Sequence, residues 1–225
     1  MFTKSNNCLK KFIDLYRIRD LFIASVLLII LLPLMLLSAL LIKLLMPGPI
    51  FFVQQRIGRY GKPFSIYKFR SMVINSEENG ITLSKDKRIT PLGRILRKYK
   101  IDEFPQLINI VKGDMSLVGP RPDLPGYYDT LEGDYRKILN LRPGLTGLDS
   151  VVYPYEEDIL QDVEDPVDFY KQVLWPHKVK INFYYLQHRS FIFDIKILLN
   201  TFSLLFFRRR IFDFSALSSE LKPLK

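Results

Sequence analysis

The chain has 225 residues, with 33 Lys and Arg against 23 Asp and Glu, a formal net charge of +10, and 48% hydrophobic residues. So apolar a chain is not a disordered basic tail, and its single cysteine, Cys8, excludes an intramolecular disulfide and a cysteine-based zinc site. Two histidines, His177 and His188, are too few for a histidine metal cluster. Any bound ion would therefore sit among oxygen ligands, as Mg²⁺ or Ca²⁺ does, and the positive balance points to lipid headgroups, phosphates or nucleic acid as partners.

From Leu21 to Ile42 no residue is charged, and a helix of that length crosses a hydrocarbon core of about 30 Å. The stretch is too long for a cleavable signal peptide, and no small-residue cleavage site follows it. Pro33 lies in its middle, where it removes a backbone hydrogen bond and kinks or breaks a helix. Both flanks are basic: Lys4, Lys10, Lys11, Arg17 and Arg19 before it, Lys43, Arg56, Arg59, Lys62, Lys68 and Arg70 after it. Cytoplasmic retention of positive charge draws both ends to one side, which a single span does not allow. A helix–break–helix hairpin, with Ser25 or Ser38 helping to satisfy the broken backbone, meets both signals. An ordinary kinked span is the alternative at this stage.

Met46-Pro47-Gly48-Pro49 ends the apolar segment and opens a polar domain. Ile50–Val53 and Phe64–Met72 read as strands, the second with Lys68 and Arg70 on one face and Tyr67 and Phe69 on the other. That cation pair either clamps a phosphate or forms a solvated edge. Ser76–Lys87 is a polar loop. Thr90 then caps a helix with Pro91 at its first position, carrying Arg94, Arg97 and Lys98 on one face to about Lys100. A second helix is expected from Phe104-Pro105 to the stop at Gly113. Val118–Pro122 and Arg142–Gly147 are rigid loops that display Arg121 and Arg142. Asp149–Asp168 is acidic. Ser190 caps a last helix rich in Phe and Leu that ends at Arg208-Arg209-Arg210, either lying on a membrane surface or buried against the domain.

The chemistry centres on Asp102-Glu103. Free N–H groups at a helix start and neighbouring arginines favour ionised carboxylates. An ionised pair there can hold Mg²⁺ and offer an oxygen nucleophile to phosphorus. The structural alternative is that Asp102 caps the helix while Glu103 and Gln106 complete a capping arrangement. Arg121 and Arg142 would add fixed cations of the kind that a diphosphate requires.

Five ordered motifs carry a resemblance: Tyr67–Met72, Asp86–Arg94, Ile101–Leu107, Lys112–Pro122 and Arg142–Gly147. In these the chain resembles the bacterial sugar transferase family, the small monotopic phosphoglycosyl transferases, from about Arg17 to Gly147, with a looser match from Asn182 to Lys196. The resemblance implies transfer of a sugar 1-phosphate from a UDP-sugar to undecaprenyl phosphate, with release of UMP. This would be the first membrane step of capsule, exopolysaccharide, O-antigen or glycoprotein glycan synthesis. It implies Mg²⁺ held by Asp102 and Glu103, and Asp102 as the nucleophile that forms a phosphosugar intermediate, with Glu103 as its dyad partner. Lys68, Arg70, Arg94, Arg97, Arg121 and Arg142 would bind phosphates or nucleotide. A re-entrant membrane helix broken at Pro33 is implied as well, and this selects the hairpin.

The chain departs from the family where Leu32 precedes Pro33 in place of a common Ser, and where Leu148 replaces a common Trp. The expected architecture is an α-rich α/β membrane-associated enzyme. Residues 1–46 form the basic N-terminus and re-entrant hairpin, 47–148 the cytoplasmic catalytic core, and 149–225 a variable region with C-terminal helices. Its place would be the bacterial inner membrane, with UDP-sugar, undecaprenyl phosphate, membrane lipids and downstream glycosyltransferases as partners. A membrane-anchored nucleic-acid-binding protein ranks below this, because the carboxylate pair among the cations would repel a backbone phosphate. A non-catalytic assembly scaffold is the third class.

Overall fold

The computed structural model describes residues 2–74, 83 and 86–214, with residues 2–14 as backbone alone. The loop expected over Ser76–Lys87 lies largely outside the described residues, as do the side chains of Lys4, Cys8, Lys10 and Lys11.

The first element, α1 (Phe2–Leu45), carries Pro33 in its interior. The sequence predicts two helices around a break, whereas the structure keeps Pro33 inside one element. A proline there costs the helix one hydrogen bond, about 3 kcal/mol, and packing on both sides of Pro33 holds the flanking turns. A stripe at helical spacing, Asp20, Ala24, Leu28, Leu31, Met35, Ser38 and Ile42, continues to Met46 and faces the rest of the protein. The other side, including Ile18, Phe22, Ile29, Ile30, Leu36, Leu40 and Leu44, is exposed. The segment Leu15–Leu45 is long and apolar enough to cross a membrane.

After the turn at Met46–Pro49, β1 (Phe51–Ile57) and β2 (Pro63–Phe69) form an antiparallel hairpin in which Phe51 pairs with Phe69 and Ile57 with Pro63. Helix α2 (Pro91–Lys98) starts as the sequence predicts, with Thr90 Oγ1 accepting from the Gly93 N–H at 2.9 Å. It ends two residues before the expected Lys100, which itself adopts a left-handed conformation (φ 54°) and turns the chain into a short 3₁₀ turn, Ile101–Glu103. Helix α3 (Gln106–Lys112) follows and stops at Gly113, whose φ of 97° suits glycine and whose N–H returns to the carbonyls of Asn109 and Ile110. Next, β3 (Ser116–Val118) pairs in parallel with β4 (Gly144–Thr146). Here Gly119 is required by close approach: a Cβ on it would lie 2.4 Å from the Arg142 carbonyl oxygen. The two rigid loops therefore pack backbone against backbone.

The C-terminal part is helical: α4 (Leu148–Val152), α5 (Glu156–Gln161), α6 (Pro166–Phe169), a π-helical turn at Tyr170–Leu174, α7 (Trp175–His188) and α8 (Phe191–Phe207). Both sheets are two-stranded, so the molecule is mostly helical. Leu107 and Ile110 of α3 share one buried cluster with Ala24, Met115, Leu148, Leu174, Ile181, Tyr185 and Ile197. A separate cluster joins Met35, Ile42 and Met46 to Phe69 and Leu96, flanked by Ile101 and Phe104. Full burial of each such side chain contributes about 1.5–3 kcal/mol. Helix α8 divides its faces: Phe193, Asp194, Ile197, Asn200 and Ser203 are buried, while Phe191, Ile192, Ile195, Leu199, Phe202 and Phe206 are exposed.

Candidate active site

Asp102 and Glu103 lie in the 3₁₀ turn ahead of α3 and not at a helix N-terminus. Their positions follow from the residues on either side. Ile101 and Phe104 dock on the cluster that includes the second half of α1, which turns both carboxylates inward to 5% and 8% exposure. The turn that carries the site therefore packs on the same cluster as the second half of α1.

Glu103 is fully engaged. Its Oε1 accepts from Arg121 Nη2 at 2.8 Å and from Lys68 Nζ at 3.2 Å, and its Oε2 accepts from Arg121 Nη1 at 2.8 Å. Burial pushes this carboxyl up, but Arg121 and Lys68 outweigh it and hold Glu103 well below the usual carboxylate range. Arg121 Nη1 also reaches the Leu145 carbonyl at 2.7 Å, which fixes the fork.

Asp102 is treated differently. Burial and the adjacent Glu103 charge raise its carboxyl above the ordinary aspartate value, against the pull of Lys68, Lys100 and Arg97. Its Oδ1 is buried with no hydrogen-bond partner among the described residues, and so are both amide atoms of Gln106, one turn further on. A desolvated carboxylate oxygen lacking a donor, next to a saturated neighbour, is poised to take a cation or an electrophile.

The structure sorts the predicted cations. Lys68 and Arg121 meet the dyad directly. Arg97 is among the charges that act on Asp102 and is ion-paired to Glu157 of α5. Arg94 is exposed on α2. Arg70 follows the end of β2 at Phe69, and its backbone N–H donates to the Ile50 carbonyl at 2.9 Å. Its guanidinium donates to the Pro47 carbonyl at 2.7 Å and to the Met46 carbonyl, so it pins the turn that leaves α1. Arg142 Nε donates to the Gly113 carbonyl at 2.9 Å, at the far end of α3 from the dyad. Pro33 remains within α1.

Sequence reasoning missed a second polar layer. Glu157 holds Arg97, and Glu156 holds Lys178 of α7 at 2.8 Å. Asp149 and Glu156 both act on Arg121, while Asn182 donates to the Tyr128 hydroxyl at 2.7 Å and the Tyr170 hydroxyl donates to Asp123 at 2.9 Å. The available signal was the stripe Lys178, Asn182, Tyr185, polar groups at helical spacing inside an otherwise apolar helix.

For a divalent ion the donor set is small. No group of three or more His, Cys, Asp or Glu side chains converges among the described residues. The orphaned Asp102 Oδ1 supplies one oxygen, and both Glu103 oxygens already accept from cations. Mg²⁺ commonly takes one or two carboxylates plus substrate phosphates and waters, so these residues fit a metal that arrives with its substrate.

Over most of its length this chain is similar to known proteins. A family model of the bacterial sugar transferases matches residues 10–208. The UDP-N-acetylgalactosamine-undecaprenyl-phosphate N-acetylgalactosaminephosphotransferase of Aeromonas hydrophila is 40% identical over 75% of this chain and 38% of its own length. The UDP-glucose:undecaprenyl-phosphate glucose-1-phosphate transferase of Caulobacter vibrioides is 39% identical over 82% of this chain and 67% of its own. The exopolysaccharide production protein PSS of Rhizobium leguminosarum bv. phaseoli is 35% identical over 83% and 92% respectively. A buried carboxylate pair held among fixed cations suits an enzyme that handles anionic substrates. The chain belongs to the bacterial sugar transferase family and is a phosphoglycosyl transferase.

Proposed function

We propose that the chain transfers a sugar 1-phosphate from a UDP-sugar to undecaprenyl phosphate, yielding undecaprenyl-diphosphate-sugar and UMP, as the first membrane step of a surface polysaccharide or glycan. The observation that carries this reading is the unpartnered, desolvated Asp102 oxygen beside a Glu103 already neutralised by Arg121 and Lys68. In the first step an Asp102 oxygen attacks the β-phosphorus of the donor. The bond from that phosphorus to the bridging oxygen breaks, and UMP leaves with the electron pair. In the second step a phosphate oxygen of the lipid attacks the same phosphorus and returns Asp102 as a carboxylate. A carboxylate nucleophile needs no base, so no histidine is required. Arg121, Lys68 and Arg97 neutralise charge on the phosphates and orient them. Glu103 keeps Arg121 fixed. Mg²⁺, bound through Asp102 with the donor phosphates, would supply further charge neutralisation.

The membrane geometry we infer is re-entrant, with the chain bending at Pro33 and both flanks of α1 on the cytoplasmic face of the inner membrane. Two features support it: the basic residues at both ends, and a packing stripe that meets the catalytic domain on both sides of Pro33. A helix running straight through a bilayer would leave its far half without that domain to pack on. The exposed aromatic face of α8, followed by exposed Arg208–Arg210, suits the same surface. In a Cys8→Ser background, Leu15→Cys and Lys43→Cys should both react with an impermeant thiol reagent from the cytoplasmic side; labelling from opposite sides would refute the hairpin.

The function is tested by incubating membranes containing the chain with undecaprenyl phosphate and a panel of UDP-sugars, read as UMP. One or a few donors should release UMP, and chelation of divalent cations should stop release reversibly. No release from any donor, in protein that is folded and inserted, would contradict the reading. Full activity in excess chelator would remove the metal from it.

A further inference from the structure

Three arginines gather at the end of α3 away from Asp102. Arg17 donates to the carbonyls of Ile110 and Val111, the latter at 2.8 Å, and Arg142 donates from Nε to the Gly113 carbonyl at 2.9 Å. Arg59, on the turn between β1 and β2, donates from Nε to the Asn140 carbonyl at 2.8 Å, two residues before Arg142. Arg19, Arg97 and Arg121 each have a carboxylate partner. Arg17, Arg59 and Arg142 have none among the described residues, and Asp20, the carboxylate whose charge acts on Arg142, is already bonded to Arg19 and Ser116. Besides burial, repulsion from Arg59 and Arg17 pushes the Arg142 guanidinium below its ordinary value.

The α3 carbonyls, at the negative end of that helix, account for Arg17 and for one nitrogen of Arg142. They leave the terminal nitrogens of Arg142 and Arg59 without a hydrogen bond among the described residues. Like charges brought together in this way, with donors to spare, call for an anion. Position suggests which kind. Arg17 lies just before the uncharged run of α1, next to exposed Ile18, so the cluster sits where the apolar surface of the membrane helix begins. Tyr60, 59% exposed and held at φ 62°, places its ring 4.6 Å from the Arg59 guanidinium, the amphipathic pairing common at headgroup depth.

We propose that Arg17, Arg59 and Arg142 form a second anion site that takes the phosphate headgroup of a membrane lipid. A small cleft is lined by Ile57, Gly58, Leu141, Pro143 and Arg121 among others. Its lining includes chain neighbours of Arg59 and Arg142 together with Arg121, the partner of Glu103. A phosphate monoester, nearly doubly charged at neutral pH, matches three guanidinium charges without a carboxylate, two of them with terminal donors to spare, better than a diester does. The site rests on the membrane placement of α1 and not on the transfer reaction, so lipid binding by a chain that releases no UMP would leave it standing.

The test uses the full chain in detergent, with its thermal midpoint titrated against phosphatidic acid, phosphatidylcholine and inorganic phosphate. Phosphatidic acid should raise the midpoint saturably and phosphatidylcholine should not. Arg59→Gln should weaken the half-saturating concentration roughly tenfold, the loss of one charged hydrogen-bonding partner. Arg59→Lys should weaken it less, and Arg136→Gln, at an exposed arginine elsewhere, should leave it unchanged. Inorganic phosphate reproducing the shift in an Arg59-dependent way supports the anion site and overturns its assignment to a lipid. A wild-type chain that does not respond, or an Arg59→Gln chain that responds equally, overturns the site.

Discussion

Asp102→Asn should abolish UMP release, by at least about four orders of magnitude, while leaving the folded protein as stable as the parent or slightly more so. Asparagine keeps the shape of the side chain and removes the charge that would attack phosphorus. The stability half of this expectation follows from the sign of the perturbation. Burial and Glu103 raise the Asp102 carboxyl in the folded state, so at neutral pH its ionised form is less comfortable folded than unfolded. Neutralising it relieves repulsion from Glu103 across adjacent residues. Activity and thermal midpoint should therefore move independently, the mark of a residue kept for reaction at some expense to the fold. Retained turnover would remove Asp102 from the mechanism, and a large fall in midpoint would make it a structural residue.

Arg121→Ala should do the opposite, damaging stability and donor binding together. The substitution strips Glu103 of two 2.8 Å charged hydrogen bonds and leaves Lys68, at 3.2 Å, as its remaining ion-pair partner. Breaking a buried pair on one side costs about 3–5 kcal/mol, and because Arg121 keeps 29% of its side chain exposed, the lower end applies. The pH dependence carries a definite sign. Glu103 is depressed in the folded state, so its stabilising contribution is complete above the ordinary glutamate value and disappears as pH falls through the lower folded value. Arg121→Ala should accordingly lose most midpoint near neutrality and little in strong acid, with KM for the nucleotide sugar raised. Melting curves across that range check it. A uniform loss at every pH, with KM unchanged, would mean that Arg121 acts by packing alone.

Local signals were legible in the sequence wherever one residue type decides the backbone. Thr90-Pro91 and Gly113 set the ends of α2 and α3, and Ser190 set the start of α8. The Asp102–Glu103 pair and its partners Lys68 and Arg121 were identifiable from ordered motifs. The fate of Arg70 was not, because the expected strand ran to Met72, past the end of β2 at Phe69, and the contact of the guanidinium with Met46 and Pro47 is made across the fold. At Pro33 the sequence shows the lost hydrogen bond, but the packing of Met35 and Ile42 on its far side is a tertiary contact. For the same reason the layer of Glu156, Glu157 and Lys178 stayed hidden. Each of these residues is ordinary in its own segment and becomes informative only when α5 and α7 fold back over the cations.

The central claim is that Asp102 becomes covalently linked to phosphorus during turnover. The direct measurement is intact-protein and peptide mass spectrometry of chain quenched in acid after exposure to its donor without lipid acceptor. A phosphosugar mass is expected on the peptide containing Asp102, absent from Asp102→Asn and discharged when undecaprenyl phosphate is added before quenching. A preparation proven to release UMP that never carries the adduct, or carries it on another residue, would contradict it.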